Sequence, residues 1–198
     1  MGWKATAGPS VEPMLVADAK LHLKVLTNNE DTLITNMITA AREEVENYCN
    51  ISLVEQTIEE SFPCFPVAEN YNTLSSLWLS VSPLISIDSI SYIDTDGNSQ
   101  TLATTVYDLD DKQKPGKVTL KHNQTWPSTA KIENAVTITY KAGYGTTAAD
   151  VPQAIKQAML LMLTNWFEKR ADDPQTPFAR KIGNAQWLLD KYRVNVFV

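Results

Sequence analysis

Residues 135–166 read AVTITYKAGYGTTAADVPQAIKQAMLLMLTNW, and the spacing of apolar residues changes once within this stretch. At 136–140, apolar residues alternate with threonines, which is the two-residue period of a half-buried strand. At 155–166, apolar residues cover most sides of a predicted helix that opens near Asp150 and Pro152. The chain therefore passes here from a sheet into a long helix, and we expect that helix to lie at the centre of the core.

A second amphipathic helix precedes the sheet. Its apolar stripe recurs at helical spacing and consists of Leu33, Met37, Ala41, Val45 and Tyr48, with Ile34 and Ile38 beside it. Thr27 and Glu30 have capping-box spacing at its start. A short helix is predicted at 16–25 and a last one near 178–192.

Short strand-like segments fill the middle of the chain, at 54–62, 77–81, 85–94, 101–109, 116–120 and 135–140. The sequence Asp94-Thr95-Asp96-Gly97-Asn98 is a strong hairpin-turn signal, because Gly97 can take the positive φ that such a turn requires. Its spaced carboxylates resemble the start of a calcium loop, but Ser99 and Thr105 stand where that loop needs Gly and Glu. We therefore interpret it as a turn.

These elements predict an α+β fold with a helical core formed by N- and C-terminal helices and an inserted small antiparallel β region. The expected organisation is a flexible arm at 1–12, a helical core at 13–53 and 150–193, the insert at 54–145, and a tail at 194–198.

Composition and charge limit the function. The 198 residues are 43% apolar with a net charge of −6, which argues against nucleic acid as a tight general partner. The longest apolar run, 158–163, is far below the roughly 20 residues of a membrane span, so we expect a soluble protein without a secretory signal. Residues 1–150 carry 10 Lys/Arg and 19 Asp/Glu, whereas residues 151–198 carry 7 and 4. This asymmetry of charge has two interpretations. The acidic and basic parts are either two ordinary solvated faces or complementary surfaces through which neighbouring copies of the chain bind each other.

No motif indicates catalysis, a cofactor or a metal. Cys49 and Cys64 have no second Cys/His pair for zinc and are interpreted as free thiols, with a disulfide left open. His22 and His122 have no metal-ligand spacing, and no Gly-x-Ser-x-Gly elbow is present. We expect no enzyme.

The ordered set of segments resembles the phage head–tail connector (adaptor) proteins, in the variant that carries a β insertion between its helices. The resemblance runs from Glu12 to Arg193. It rests on the segments Ala17–Val25, Ala40–Glu43, Leu53–Thr57, Pro83–Ile90, Asp96-Gly97, Pro115-Gly116, Trp126-Pro127, Val136–Gly145, Val151–Arg170 and Tyr192-Arg193.

The resemblance implies a structural subunit of a tailed phage or prophage that forms a ring, expected to be a dodecamer, between the portal and a tail or stopper protein. DNA would only pass through the channel, and no membrane is involved. The expected locations are the neck of the virion and, during assembly, the cytoplasm of the bacterial host. The expected interface consists of Arg42, Glu43, Glu46, Arg170, Tyr192 and Arg193. The alternative function is that of a non-catalytic ligand-binding module, which binds carbohydrate or is associated with the tail. In this alternative the β insert presents Trp78, Trp126 and Tyr144 on one face.

Overall fold

The computed structural model describes residues 2–66, 76–168 and 185–195. The chain divides into two compact units. The sheet unit takes Met1–Gly8, Glu55–Gly143 and Val194–Val198, and the helical unit takes Pro9–Val54 and Tyr144–Arg193.

Two antiparallel sheets make up the sheet unit. The first has five strands in the spatial order β1 (Gly2–Ala7), β2 (Gln56–Phe62), β8 (Val136–Ala142), β4 (Leu84–Ile93) and β5 (Ser99–Thr101). The second has three strands in the order β3 (Ser76–Trp78), β7 (Lys117–Leu120) and β6 (Tyr107–Asp110).

The central strands β2 and β8 follow the predicted alternation. Buried and half-buried residues alternate along the whole of both strands. Ile58 lies opposite Tyr140 and Phe62 opposite Val136, so the buried side chains of the two strands share one face. The hairpin between β4 and β5 turns at Gly97, which has a φ of +85°, so the predicted turn is confirmed.

The helical unit contains α1 (Val16–Leu23), α2 (Asp31–Cys49), α3 (Gln153–Glu168) and the short α4 (Gln186–Leu189). Turns of 3-10 helix cover Ala148–Asp150 and Asp190–Tyr192. The buried face of α2 consists of Ile34, Ile38, Ala41, Arg42, Val45 and Cys49. The buried face of α3 consists of Ile155, Ala158, Met159, Met162 and Leu163. Among the described residues no helix is both long and apolar enough to span a bilayer.

The predicted fold class, a helical core with a small β insert, was wrong. The described residues form a mixed fold with eight strands in two antiparallel sheets, and a large apolar cluster centred on Ile58, Ile90, Ile138 and Tyr140 lies in the sheet unit. In contrast, α1 buries only Ala19. Strands bury every second residue, so a sheet core is dispersed over many short segments of sequence. A helix such as α3 carries its apolar residues in one continuous run of sequence, so the core was expected there.

Two local expectations also differ from the structure. Residues 1–12 were expected to form a flexible arm, but Gly2–Ala7 form β1 through hydrogen bonding to β2. The capping box expected at Thr27 and Glu30 is not formed, since α2 begins at Asp31 and its N-cap Glu30 makes no side-chain cap.

A capping box occurs instead before α3. The backbone N–H and the hydroxyl of Thr147 both donate to the Asp150 carboxylate, at 2.9 and 2.8 Å. The backbone hydrogen bond, followed by the hydroxyl, holds the pKa of Asp150 below its ordinary value. The signal for this turn was the Thr-Ala-Ala-Asp spacing at 147–150.

Candidate subunit interface

Arg42 lies on α2 and is only 8% exposed. Its guanidinium donates from Nε to Glu12 at 3.0 Å and from Nη1 to Glu46 at 2.8 Å, and a longer contact of 3.5 Å reaches Glu43. Glu46 follows Arg42 by four residues, so one turn of helix places the two side chains side by side. Three carboxylates therefore surround one guanidinium within the helical unit.

The same carboxylates fasten the chain on both sides of α2. The second oxygen of Glu12 accepts a hydrogen bond from the Thr39 hydroxyl at 2.9 Å. The second oxygen of Glu46 accepts from the Leu53 backbone N–H at 2.8 Å. Burial by itself lowers the pKa of Arg42, but the charges of Glu46 and Glu12 outweigh it and the pKa is raised. This cluster ties the segment before α1 and the exit from α2 to the helix.

The three interface residues predicted on α2 thus differ in what they can offer another molecule. Arg42 and Glu46 are engaged inside the chain, with side chains 10% and 13% exposed. The Glu43 side chain is 62% exposed. Of the three side chains, that of Glu43 is the most exposed to solvent.

The predicted residues Tyr192 and Arg193 lie beside the C-terminal end of α2. The Tyr48 hydroxyl donates to Asp190 at 2.6 Å, and that hydrogen bond is the main reason why the pKa of Tyr48 is raised. The Arg193 guanidinium lies 5.3 Å from the centre of the Tyr48 ring, and Lys191 lies 4.9 Å from that of Tyr192. Tyr192 is half-buried and Arg193 is exposed, so a cation stacked on an aromatic ring faces outward here. Arg170 lies outside the described residues.

Exposed apolar side chains in the helical unit were not predicted as contacts. Leu21 on α1 is 82% exposed, Leu26 is 95% exposed and Trp187 on α4 is 70% exposed. Leu21 lies two residues from the buried Ala19, which on a helix turns it toward the opposite side. The position of Leu21 on the helical wheel is therefore the sequence signal from which its exposure could have been predicted.

The sheet unit also contains a buried polar group that sequence reasoning missed. Glu60 on β2 is 0% exposed. Its carboxylate accepts hydrogen bonds from the Ser80 hydroxyl at 2.5 Å, the Ser80 N–H at 2.9 Å and the Tyr140 hydroxyl at 2.9 Å. Tyr140 in turn accepts from the Val81 N–H at 3.2 Å. Burial raises the pKa of Glu60 despite these hydrogen bonds.

The other polar positions singled out in the sequence contact neighbouring residues of the same chain. The Asp94 carboxylate accepts hydrogen bonds within its own turn from Gln100, Asn98 and Asp96, and the first of these is the main cause of its lowered pKa. His22 is exposed and contacts Thr164 at 3.1 Å. Within the part of the chain that the structure describes, no group of three or more His, Cys, Asp or Glu side chains could hold a metal ion.

The three aromatic residues of the alternative function differ in exposure. Trp78 is 41% exposed, with the Lys117 ammonium 5.0 Å from its ring centre. Trp126 stacks on the buried Phe65 at 4.9 Å and 7°. Burial raises the pKa of Tyr144, in the helical unit, to about 12. Of the three, only Trp78 is exposed, whereas Trp126 and Tyr144 are half-buried, so this geometry gives a ligand-binding platform little support.

The family model for the head completion protein matches residues 14–178. The chain belongs to the head completion protein family. The resemblance to phage head–tail connector proteins is thereby confirmed, and the chain is a structural connector subunit of a phage-like particle.

Solved structures share the fold of this chain along its whole length. One match comes from the neck of an empty gene transfer agent (GTA) particle computed with C6 symmetry, at 17% identity and a TM-score of 0.75. Two more come from the virion of a native GTA particle, at 16% and 0.73, and from the neck of a native particle computed with C12 symmetry, at 17% and 0.73. Each covers 100% of this chain and 98% of the other. No curated protein matches the sequence.

Proposed function

We propose that this head completion protein assembles as a dodecameric ring in the neck of a phage-like particle, between the portal and a tail or stopper protein. The observation that carries the proposal is family membership over residues 14–178 together with full-length likeness to proteins of a particle neck. Its role is structural and non-catalytic. DNA passes through the ring, and the subunit is held in the bacterial host cytoplasm before assembly.

A closed ring requires two different faces on each subunit, because each copy contacts the next head to tail. The uneven charge of the chain supports such a pairing, since its first 150 residues are acidic and the remainder is basic. The exposed leucines at 21 and 26 and the exposed Trp187 supply apolar surface that a neighbouring protein would cover.

Within the ring, we propose that Glu43 of one copy contacts Arg193 of the next. Both are exposed and opposite in charge. Arg42 and Glu46 contribute indirectly, by holding α2 in shape, and Tyr192 lies at the edge of the same contact. Reversing Arg42 and Glu46 would set a new carboxylate against Glu12, so that change tests folding before assembly.

The first test measures whether particles contain the ring. Quantitative mass spectrometry of purified particles is expected to find this chain at the copy number of the portal, and electron microscopy is expected to show it in the neck. A chain abundant in cells but missing from particles would contradict the connector role.

The second test is a charge exchange at the proposed contact. Glu43→Lys and Arg193→Glu are each expected to lower the number of particles with a completed neck at least about tenfold, the effect of roughly 1.4 kcal/mol at an interface. The two changes combined are expected to restore most of it. Glu133→Lys, an equal charge change at an exposed position of the sheet unit, is the control. Failure of the combined variant to recover would sink this pairing.

A further inference from the structure

Strand β1 is attached to the sheet unit in an unusual way. It lies at one edge of the five-stranded sheet, and all six of its residues are exposed. Trp3 lies opposite Glu60, and Ala5 lies opposite Ile58. Opposed residues of an antiparallel pair share one face, so Trp3 and Ala5 lie on the face where β2 is buried. Glu60 and Ile58 are 0% and 1% exposed, yet Trp3 is 48% exposed. The core therefore ends at β2.

The polar side-chain contacts of β1 with the described residues are weak. Besides the backbone ladder, Lys4 forms an ion pair with Glu59 at 2.8 Å, and the Thr6 hydroxyl donates to the Thr57 carbonyl at 3.2 Å. Exposed ion pairs and exposed hydrogen bonds contribute little net stability in water. A strand that fully buries none of its residues opens at low cost in free energy.

The connection after β1 allows the strand to move as a unit. Gly8-Pro9-Ser10 follows it, and the chain is fixed again at Glu12, whose carboxylate binds Arg42 and Thr39. From Ala7 to Glu12 an extended chain spans up to about 17 Å. Every contact of β1 with β2 can be made equally well by the β1 of another copy.

We propose that β1 is exchanged between neighbouring subunits, so that β1 of one copy pairs with β2 of the next in the register seen within the chain. The proposal rests on the ring described above. Each copy donates one strand and accepts one, which is the head-to-tail pattern that closes a ring and leaves no β2 edge unpaired. Exchange gains binding between subunits without requiring a new kind of contact.

A disulfide formed between two different chains tests the exchange. One chain carries Lys4→Cys and the other, with a different tag, carries Glu59→Cys. Both also carry Cys64→Ser, because Cys64 is exposed whereas Cys49 is buried. Opposed residues of an antiparallel pair lie about 4.5–5.5 Å apart at Cα, within the range of a disulfide. The two chains are produced together with the particle components, particles are purified and oxidised, and linked peptides are identified by mass spectrometry.

We expect a covalent dimer of the two tagged chains in particles. The control pair is Ser61→Cys in one chain and Thr137→Cys in the other, opposed residues on β2 and β8 in the interior of the sheet. It is expected to give no dimer. A single chain with both Lys4→Cys and Glu59→Cys, oxidised as the isolated protein, is expected to form the internal disulfide and so verifies the geometry.

The outcomes separate this inference from the ring itself. Rings in the neck without a covalent dimer of the Lys4→Cys and Glu59→Cys chains above the control level overturn strand exchange and leave the ring standing. Particles without this chain overturn both. Deleting residues 2–7 gives an independent readout. That chain is expected to unfold only slightly below the wild-type temperature, because β1 contributes a half-covered Trp3 and no fully buried residue, but to lose neck assembly at least about tenfold. Normal assembly of the deletion variant would also overturn the exchange.

Discussion

Among the described residues, the helical unit and the sheet unit each bury one side chain of the Asp, Glu, Lys and Arg class, and the two groups are compensated in opposite ways. Arg42 is enclosed by the carboxylates of Glu12 and Glu46. Glu60 accepts hydrogen bonds from the neutral donors of Ser80 and Tyr140. Opposite charges keep Arg42 ionised, whereas neutral donors only partly offset the desolvation of Glu60, so its pKa is raised.

The two buried side chains therefore differ in what destabilises the fold around them. Arginine does not titrate in proteins, so the cluster in the helical unit responds to the loss of a partner. The carboxyl in the sheet unit responds both to the loss of a partner and to pH. Three substitutions test this contrast.

Glu60→Ala is expected to have the largest effect. It removes the acceptor of three hydrogen bonds and leaves the donors of Ser80 and Tyr140 buried beside a cavity. We expect a loss of about 3–4 kcal/mol in the free energy of unfolding. Urea unfolding measures the loss, and hydrogen exchange should show it in the sheet unit. Glu59→Ala, at the half-buried neighbouring position, is the control and should cost below about 1 kcal/mol. Equal losses would contradict a special role for Glu60.

Arg42→Met is expected to have the next largest effect. It leaves Glu12 and Glu46 facing each other without their cation. Because both carboxylates keep some contact with water, we expect a loss of roughly 2–3 kcal/mol, below that of a fully buried pair. Urea unfolding measures it, with increased exchange at α2 and residue 53. Glu43→Gln is the matched control, since that side chain is mostly exposed, and should change stability by about 0.5 kcal/mol or less.

Glu60→Gln tests the pH dependence and has the smallest effect. The pKa of Glu60 is raised above its ordinary value of 4.5, so the folded state favours the protonated carboxyl. Its contribution to stability is fully present below pH 4.5 and is lost as the pH rises through the folded pKa. Gln cannot ionise and has no such loss. Unfolding midpoints measured from about pH 4 upward are therefore expected to fall in the wild type relative to Glu60→Gln. A difference that is constant with pH would show that Glu60 is not the titrating group.

Local patterns identified much of this fold. The alternation at 136–140 is found in β8, and the Asp94–Asn98 turn joins β4 to β5. Each of these rests on residues a few positions apart, where backbone geometry alone sets the spacing. The same reasoning missed the strand at residues 2–7, where Trp3, Ala5 and Ala7 alternate with Lys4 and Thr6. One large apolar residue in so short a segment is a weak signal, and the strand depends on β2, about fifty residues away.

From residue 13 onward, the sequence by itself determined the order of helices and strands, and it also determined the uneven distribution of charge and the family. These depend on local periodicity and on segments read in order. Only the tertiary structure decided where the main core lies, since a sheet core forms from alternate residues of strands that are distant in sequence. It also decided that Arg42 binds Glu12 and Glu46 within the chain and that Glu60 is buried against Ser80 and Tyr140. Burial and hydrogen-bond partners arise from long-range packing, which no short window of sequence contains.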